Sequence, residues 1–303
     1  MNSTSDTAEP VRRRTGPGIS REAAYGLFAA PAIVLTAAVM LIPGILTLAA
    51  SLTDWDGVSR PTWAGLANFH DLFADVAFWR AIFNNVKWTV LFLTIPMAGA
   101  LLIASLLRTR SRIQAIYQLL ILLPYVLSPI VNVIIWSNIV FDPVGGLVGF
   151  VNRRFFPVVD PLAQAGGALY AVAAIDMWHF WGYLAVIFLG AIKQVPEEQL
   201  EAARMDGANA WQIFRFVTLP NIMPTIGLMA VIVTIFSFLT FDYVYLATSG
   251  GPGFSTLVLS VLAYNSAFMS LAVGRAAAVA VVMGFFGVLA SVAYTRLTWT
   301  GAR

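Results

Sequence analysis

The run Leu169–Ile192 reads LYAVAAIDMWHFWGYLAVIFLGAI, and in these 24 residues only Asp176 and His179 carry side chains that can be charged near neutral pH. As a helix the run would be about 36 Å long, which is enough to cross a hydrocarbon core of about 30 Å. Only helices and closed barrels satisfy their backbone groups in lipid, and the run lacks the alternation of a barrel strand. It therefore predicts a transmembrane helix.

Five further runs have the same apolar character, and the sequence predicts an all-α integral membrane protein with six transmembrane helices. The composition agrees, because 59% of the residues are hydrophobic and 11% are charged, against about 45–50% and about 25% in soluble domains. The absence of Cys excludes disulfides, and a net charge of +3 is too small to indicate nucleic acid as a partner. The five runs are Leu27–Leu48, Trp88–Leu107, Tyr117–Ile139, Ile226–Leu246 and Ala276–Tyr294.

The first run is expected to be a retained helix. Leu27–Leu48 is longer than the apolar core of a secretory signal peptide, which spans about 7–15 residues. A cleaved signal peptide is the less favoured alternative.

Lys and Arg residues are distributed unevenly between the two sides of these runs. Twelve lie in the terminal tails and in the connections after the second and fourth runs, whereas six lie in the other connections. The positive-inside rule then places both termini in the cytoplasm. The predicted domains are a cytoplasmic tail over residues 1–22, a six-helix domain over 23–297 and a tail over 298–303. Within the six-helix domain, residues 193–224 are predicted to form a cytoplasmic loop. The predicted external connections are Ser51–Val86, Asp142–Gly167 and Ala247–Arg275.

The connection between the fourth and fifth runs, Val195–Pro220, reads VPEEQLEAARMDGANAWQIFRFVTLP. Pro196 followed by two Glu residues is a favourable helix start, and Gly207 is expected to break the run. Trp211 and Phe214, three residues apart, would share one face of a second helix. Pro220 and Pro224 are expected to end that helix before the fifth span. From spacing alone, an amphipathic loop lying on the membrane surface remains possible.

The residues of this connection resemble the EAA loop of ABC importer permeases. Two external segments, Trp63–Phe69 and Phe241–Gly253, resemble segments of the carbohydrate-uptake permeases, with Ala247 standing where Leu is usual. The closest group is the maltose/oligosaccharide type with six helices. The matching positions of the EAA loop are Glu201-Ala202-Ala203, Asp206-Gly207-Ala208, Phe214, Leu219-Pro220 and Pro224.

The resemblance implies the ABC importer type I permease fold, in the cell (inner) membrane, and a transport subunit that is not itself an enzyme. The loop over residues 193–224, which we call the coupling loop, would dock on a cytoplasmic ABC ATPase dimer. Glu201 would face basic groups, Gly207 would allow the turn, and Trp211 and Phe214 would fill a groove. The further partners would be a second, different permease chain, an extracellular or periplasmic sugar-binding protein, the sugar and membrane lipid. The coupling residues are Glu201, Ala202, Ala203, Asp206, Gly207, Ala208, Trp211 and Phe214.

No cofactor is expected on this chain, because ATP would be bound by the partner ATPase. A P-loop needs Gly-Lys followed by Ser or Thr. The only Lys residues are Lys87, which follows Val86, and Lys193, which follows Ile192. No catalytic or metal-binding motif supports an intramembrane enzyme.

A substrate face is predicted on the fourth helix, where Asp176, His179, Phe180 and Tyr183 have the spacing of one helix face. Hydroxyl groups of a sugar need hydrogen-bonding partners, and its apolar side suits aromatic rings. The resemblance to maltose-type permeases places sugar contact at this face and, on the fifth helix, near Phe236 and Ser237. The alternative is an Asp–His pair that only holds helices together.

Other choices stay open at this point. Asp242 is expected to be structural, and the roles of Asn84, Asn85 and Asn132 are undecided. The substrate is expected to be a di- or oligosaccharide, with a monosaccharide or glycerol phosphate next. The competing function is a proton-coupled secondary transporter in which Asp176 and His179 relay protons.

Overall fold

The computed structural model describes residues 21–108, 114–155 and 160–301. The predicted N-terminal tail, including Arg12, Arg13 and Arg14, lies outside these residues except for its last two positions. Of the predicted C-terminal tail, positions 302 and 303 lie outside them.

The described chain is almost entirely helical, with one short antiparallel hairpin. The described residues before Thr47 form one compact unit, and the described residues from Thr47 onward form a second. The α-helices and strands of the described chain, in chain order, are α1 Arg21–Thr36, α2 Ile42–Ser51, β1 Thr53–Asp54, β2 Thr62–Trp63, α3 Ala67–Ala74, α4 Val76–Leu106, α5 Gln114–Val126, α6 Pro129–Ile135, α7 Leu147–Arg154, α8 Ala168–Lys193, α9 Glu197–Met205, α10 Ala210–Ile213, α11 Leu219–Leu239, α12 Asp242–Thr248, α13 Leu259–Tyr264 and α14 Val273–Gly301. Short π-helical segments lie at Ala37–Leu41, Trp136–Val140, Phe214–Thr218 and Asn265–Met269.

Five helices in the described residues are long and apolar enough to cross a membrane, or six if one bent pair is counted as a single span. Each of the six predicted runs falls largely within one of these segments. The bent pair is Gln114–Val126 with Pro129–Val140, and the two parts meet at an angle of 98°. The other five segments are Phe28–Ser51, Val76–Leu106, Ala168–Lys193, Ala210–Thr248 and Val273–Arg296.

The second membrane helix begins earlier than predicted, at Val76 rather than Trp88. Asp75 forms its N-cap, with the side chain accepting a hydrogen bond from the backbone N–H of Ala77 at 2.8 Å. The predicted external connection Ser51–Val86 therefore contains α3 and the first turns of α4. Hydropathy missed these turns because they carry charged and amide side chains.

The prediction that Pro220 and Pro224 end the second coupling helix is wrong. The helix runs from α10 through the π-helical segment Phe214–Thr218 into α11, and both prolines lie within α11. Pro220 occupies the first turn of α11, where the hydrogen bonding changes from i, i+5 to i, i+4 spacing and a missing N–H costs little. The second helix of the coupling loop and the fifth membrane helix are thus one continuous helix.

Closely packed helices form the centre of the second unit. Helix α8 packs along α4 on one side and against α5 on another. At Gly182 of α8, an added Cβ would collide with the carbonyl oxygen of Ile121. Aromatic pairs fill the remaining space: the rings of buried Trp88 and Phe92 stack at 5.6 Å, and buried Phe238 stacks on half-buried Phe286 at 4.4 Å.

A small polar layer covers the end of this bundle away from the coupling loop. The hairpin of β1 and β2 and helix α3 lie there beside the start of α14. The side-chain amide of Asn68 donates to the carbonyl oxygens of Ser51 and Thr53 at 2.9 and 2.8 Å. Arg275 forms an ion pair with Asp75. The segment that resembles carbohydrate-uptake permeases therefore supplies the amide that holds this layer together.

Candidate functional site

A cavity of about 280 Å³ lies within the bundle, between α4, α5, α8, α11 and α12. It brings together five of the six residues predicted to contact substrate, on two different helices. The structure places these five around the same space: Asp176, His179, Phe180, Phe236 and Ser237.

Tyr183, the sixth predicted residue, does not line this cavity. It lies one helical turn beyond Phe180, with its ring 5.5 Å from that of Phe180 and stacked on Tyr125 at 4.9 Å. Tyr125 does line the cavity. Tyr183 therefore packs against two residues that line the cavity, Tyr125 and Phe180, without lining it itself.

Two breaks in membrane helices meet at the cavity. The first separates α5 from α6 at Leu127 and Ser128, where Pro129 starts the new helix. The break leaves the carbonyl oxygen of Pro124 without a helical partner, and the Nδ1 atom of His179 lies 3.0 Å from it. Irregular backbone at membrane depth is tolerated where protein or a polar cavity satisfies it.

The second break separates α11 from α12 at Thr240 and Phe241. The side-chain amide of Asn85 donates to the carbonyl oxygen of Ser237 at 2.7 Å, and its oxygen accepts from the N–H of Leu259 at 2.9 Å. Ser260 donates to the carbonyl oxygen of Thr240. The predicted fifth helix, Ile226–Leu246, is thus interrupted, and Asn85 has a structural role.

Asn132 is fully buried at the centre of a hydrogen-bonded cluster that joins the two broken helices to α8. Its amide nitrogen lies 3.1 Å from both the Nδ1 atom of His179 and the hydroxyl oxygen of Tyr243. The carbonyl oxygen of Pro124 can only accept, and it lies 3.0 Å from the Nδ1 atom of His179 and 3.4 Å from the amide nitrogen of Asn132. The amide nitrogen of Asn132 therefore connects both helix breaks, whereas its amide oxygen has no hydrogen-bond partner.

We expect Asn132→Leu to lower the unfolding free energy of the purified protein by about 1–3 kcal/mol, because buried polar partners lose their hydrogen bonds. Asn138→Leu is the matched control, since that side chain is exposed and bonds only within its own helix. Thermal unfolding in detergent measures both. Equal midpoints for the two variants would contradict the role of the cluster.

The alternative to a substrate face was a pairing of Asp176 with His179, and no hydrogen bond or ion pair joins these two side chains among the described residues. His179 instead contacts the first helix break through its Nδ1 atom. Its Nε2 atom has no hydrogen-bond partner among the described residues and is available to a ligand in the cavity. Asp176 makes no hydrogen bond or ion pair with any described residue. Asp242, expected to be structural, lines the same cavity from the first turn of α12. The two carboxylates are therefore available to a ligand.

Aromatic rings that the sequence did not assign complete the wall. Five lie outside α8, and no Lys or Arg lines this cavity within the described residues. Hydroxyl groups of a ligand could donate to the carboxylates while its apolar face packs on the rings. These rings were not predictable, although Ser128-Pro129 did indicate a helix boundary. The five are Trp88, Phe92, Tyr125, Phe241 and Tyr243.

The coupling loop has the predicted helix–turn–helix form. Helix α9 starts after Pro196, and Gly207 adopts a φ of +80° in the turn. Asn209 and Gln212 form a capping box at the start of α10, with hydrogen bonds of 2.9 and 2.8 Å. Leu200 is fully buried and anchors α9 to the bundle.

The outward side of the loop exposes an apolar and acidic surface. Trp211 is 68% exposed, and its ring lies 5.9 Å from that of half-buried Phe214. Met205 is 88% exposed. Glu201, Ala202, Asp206 and Gly207 are exposed, whereas Ala203 and Ala208 are half-buried. We call Glu201, Met205, Trp211 and Phe214 the coupling surface.

The acids of the coupling loop differ in their contacts. Glu197 lies 3.3 Å from Arg204 and 3.9 Å from Arg108 at the end of α4. Glu201 has no ion pair within the described residues. Exposed ion pairs contribute little stability, but the contact with Arg108 places the loop beside the end of the second membrane helix. No group of three or more His, Asp or Glu residues in the described ranges could hold a metal ion.

Comparisons with known proteins agree with this arrangement. The sequence profile of the family "binding-protein-dependent transport system inner membrane component" matches residues 97–298. A probable ABC transporter permease of Pyrococcus horikoshii is 29% identical over 287 residues, covering 91% of this chain and 95% of the relative. The probable starch degradation products permease AmyD of Thermoanaerobacterium thermosulfurigenes is 30% identical, covering 84% of this chain and 87% of the relative.

Solved structures are similar in fold. A chain from a bacterial alginate ABC transporter, solved with an alginate pentasaccharide-bound periplasmic protein, superposes with a TM-score of 0.78 at 23% identity. The superposition covers 92% of this chain and 96% of the other. At this identity the likeness is one of fold.

Proposed function

Since the chain belongs to the family of binding-protein-dependent transport system inner membrane components, we propose that it is the permease subunit of an ABC importer that takes up a di- or oligosaccharide. The observation that carries the proposal is the family match itself. It spans residues 97–298, which include the coupling loop and most of the cavity wall.

The chemistry of the cavity supports a sugar as substrate. Carboxylates at Asp176 and Asp242, the free ring nitrogen of His179 and the aromatic walls offer directed hydrogen bonds and flat apolar faces. Among the relatives, AmyD is named for starch degradation products and UgpA of Agrobacterium fabrum for sn-glycerol-3-phosphate. The aromatic walls and the absence of Lys and Arg from the described lining favour a neutral oligosaccharide over a phosphate ester.

Motion of the ATPase would reach the cavity along one long helix. The coupling surface docks in a groove of the ATPase, where Glu201 meets basic groups and the rings of Trp211 and Phe214 bury apolar area. From Ala210 to Leu239 the helix extends about 45 Å at 1.5 Å per residue. It ends at the break that lines the cavity. Closure of the ATPase dimer would thus move the cavity wall and alternate its access.

The proposed assembly has four kinds of component. An ABC ATPase dimer binds and hydrolyses ATP, so this chain needs neither a cofactor nor catalytic residues. A second permease chain completes the pathway, and an extracellular or periplasmic protein delivers the sugar. The proton-coupled alternative is not favoured, because the family match accounts for the coupling loop and a proton relay does not.

We place the chain in the cell membrane with six spans and both termini in the cytoplasm. The bent pair then counts as one span, within a membrane domain over residues 23–297. The contact of Arg108 with Glu197 supports this, because it joins the ends of the second and fourth membrane helices. The chain between them must then cross the membrane and return. The twelve-to-six imbalance of Lys and Arg sets the direction.

Thiol labelling tests this topology, because the native chain has no Cys. We expect Gln212→Cys to be protected from an impermeant thiol reagent in intact cells and Ser59→Cys to react. Both positions are exposed in the fold, so burial does not explain protection. Permeabilised cells provide the control in which both react. Labelling of Gln212→Cys from outside would overturn the topology.

Purification through a tag on this chain tests the proposed function. We expect it to co-purify with an ATPase and a second permease, and the ATPase rate to rise when a sugar-loaded binding protein is added. A chain that purifies alone from its native host under mild detergent would contradict the assembly.

A further inference from the structure

A second cavity, of about 380 Å³, opens at the end of the bundle away from the coupling loop. Helix α4 forms one wall and the loop Gly253–Ser255 forms another. It shares no lining residue with the proposed substrate cavity. We call it the outer basic cavity, and its α4 residues are Arg80, Phe83, Asn84 and Lys87.

Two cations face this cavity and no acid does. Arg80, Asn84 and Lys87 are spaced four and three residues apart, so they share a face of α4. Arg80 donates to the carbonyl oxygen of Gly253 at 2.9 Å, which leaves its other N–H groups available. Lys87 is exposed and has no hydrogen bond or ion pair with any described residue. No Asp or Glu lines the cavity among the described residues. The cavity therefore carries two positive charges that no described acid neutralises.

The frame that holds these cations is built by buried contacts. The amide of Asn84 is buried and donates to the carbonyl oxygens of Leu257 and Phe254 at 2.9 and 3.3 Å. The hydroxyl oxygen of Ser255 is buried, lines the cavity and has no hydrogen-bond partner in the structure. A buried polar group without a partner is unfavourable. An acceptor oxygen in the cavity would satisfy it.

The position along α4 identifies the kind of ligand. Lys87 immediately precedes the stretch from Trp88 to Leu107, which carries no charged residue. The two cations therefore lie where the hydrocarbon region ends, at the level of lipid headgroups. Phe83 and Val90, on the same side of α4, are 62% and 55% exposed. A ligand at this point would meet positive charge at its head and apolar surface along its length.

We infer that the outer basic cavity binds the headgroup of an anionic phospholipid. The phosphate oxygens accept from Arg80, Lys87 and the hydroxyl of Ser255, and an acyl chain follows Phe83 and Val90. The bound lipid fastens the Gly253–Ser255 loop to α4. This site is separate from the sugar pathway and goes beyond the proposed function.

Lipid binding to the purified intact complex tests the inference. Phosphatidylglycerol is titrated into delipidated complex, and bound lipid is counted by native mass spectrometry. For Arg80→Gln with Lys87→Gln we expect affinity about thirtyfold weaker, from the attraction of two basic side chains to anionic lipid. Ser255→Ala should weaken binding without removing it. The control is Arg60→Gln with Arg154→Gln, which removes two exposed cations elsewhere and should leave affinity unchanged.

Other ligands, tested in the same way, distinguish between the molecules that could fill the outer basic cavity. Phosphatidylcholine should bind more weakly than phosphatidylglycerol, and inorganic phosphate should not compete. Equal affinity in the Arg80/Lys87 double variant and the parent would overturn the inference. Competition by inorganic phosphate would assign the cavity to a free anion instead. Loss of a protein subunit from the double variant would assign it to an acidic partner surface, which also overturns the lipid site.

Discussion

Gly207→Pro is expected to abolish sugar uptake while the chain still inserts in the membrane. Gly207 has a φ of +80° and donates its N–H to the carbonyl oxygen of Arg204 at 3.0 Å. Proline fixes φ near −65° and has no N–H, so the turn between α9 and α10 cannot form. A side chain there would meet no neighbouring atom, so packing is not disturbed. Uptake normalised to inserted protein, together with the amount of co-purified ATPase, measures the effect.

Gly190→Ala is the matched control for this turn. Gly190 lies in a regular helix, and an added Cβ there also meets nothing within 4 Å. It should keep full uptake. Normal uptake by Gly207→Pro would remove the docking role of the loop.

Charge reversal on the coupling surface should have the same phenotype. Glu201→Lys is expected to lose uptake and ATPase association. The variant places a positive charge opposite the basic groups of the ATPase, which then repel it. Glu201→Ala should lose less, since Trp211 and Phe214 still dock. Glu198→Lys, an equally exposed neighbour on α9, is the control and should retain uptake. Parallel loss in both Lys variants would point to a general charge effect.

Asp176→Ala is expected to reduce uptake about 5- to 150-fold, the range that corresponds to losing about 1–3 kcal/mol of hydrogen bonding to a ligand. Asp176 faces the cavity and bonds to no described residue, so assembly with the ATPase should persist. Transport normalised to purified intact complex separates the two effects. Asp54→Asn, an exposed acid outside the membrane helices, is the control.

Tyr183→Ala should impair uptake less than Asp176→Ala. Tyr183 stacks on Tyr125 and Phe180 but does not line the cavity, so its loss loosens two wall residues without removing a ligand contact. Normalised transport by Asp176→Ala equal to that of the parent would mean that this face does not touch the substrate.

The membrane helices and the coupling loop were largely predictable because their causes are local. Apolar length alone identifies runs such as Leu169–Ile192, and glycine and proline chemistry identifies the start of α9 and the turn at Gly207. The early start of α4 was missed because its first turns are polar and are stabilised by an N-cap and by distant carbonyls. Hydropathy does not include such contacts.

The two helix breaks and the complete cavity were not predictable for a related reason. Whether a chain breaks at Thr240 depends on Asn85 and Ser260, which lie far from it in sequence. Helical periodicity placed Asp176, His179 and Phe180 on one face. It could not show that Asn132 would hold His179 at the first break, or that Asp242 would reach the same cavity.

Uptake into proteoliposomes tests the central claim most directly. The complex purified through this chain is reconstituted with its binding protein, and a labelled sugar that this protein binds is supplied on the receptor side. We predict accumulation that requires ATP on the side of the coupling loop and is unchanged when a protonophore collapses the pH gradient. Accumulation without ATP, driven by an imposed proton gradient, would contradict the account.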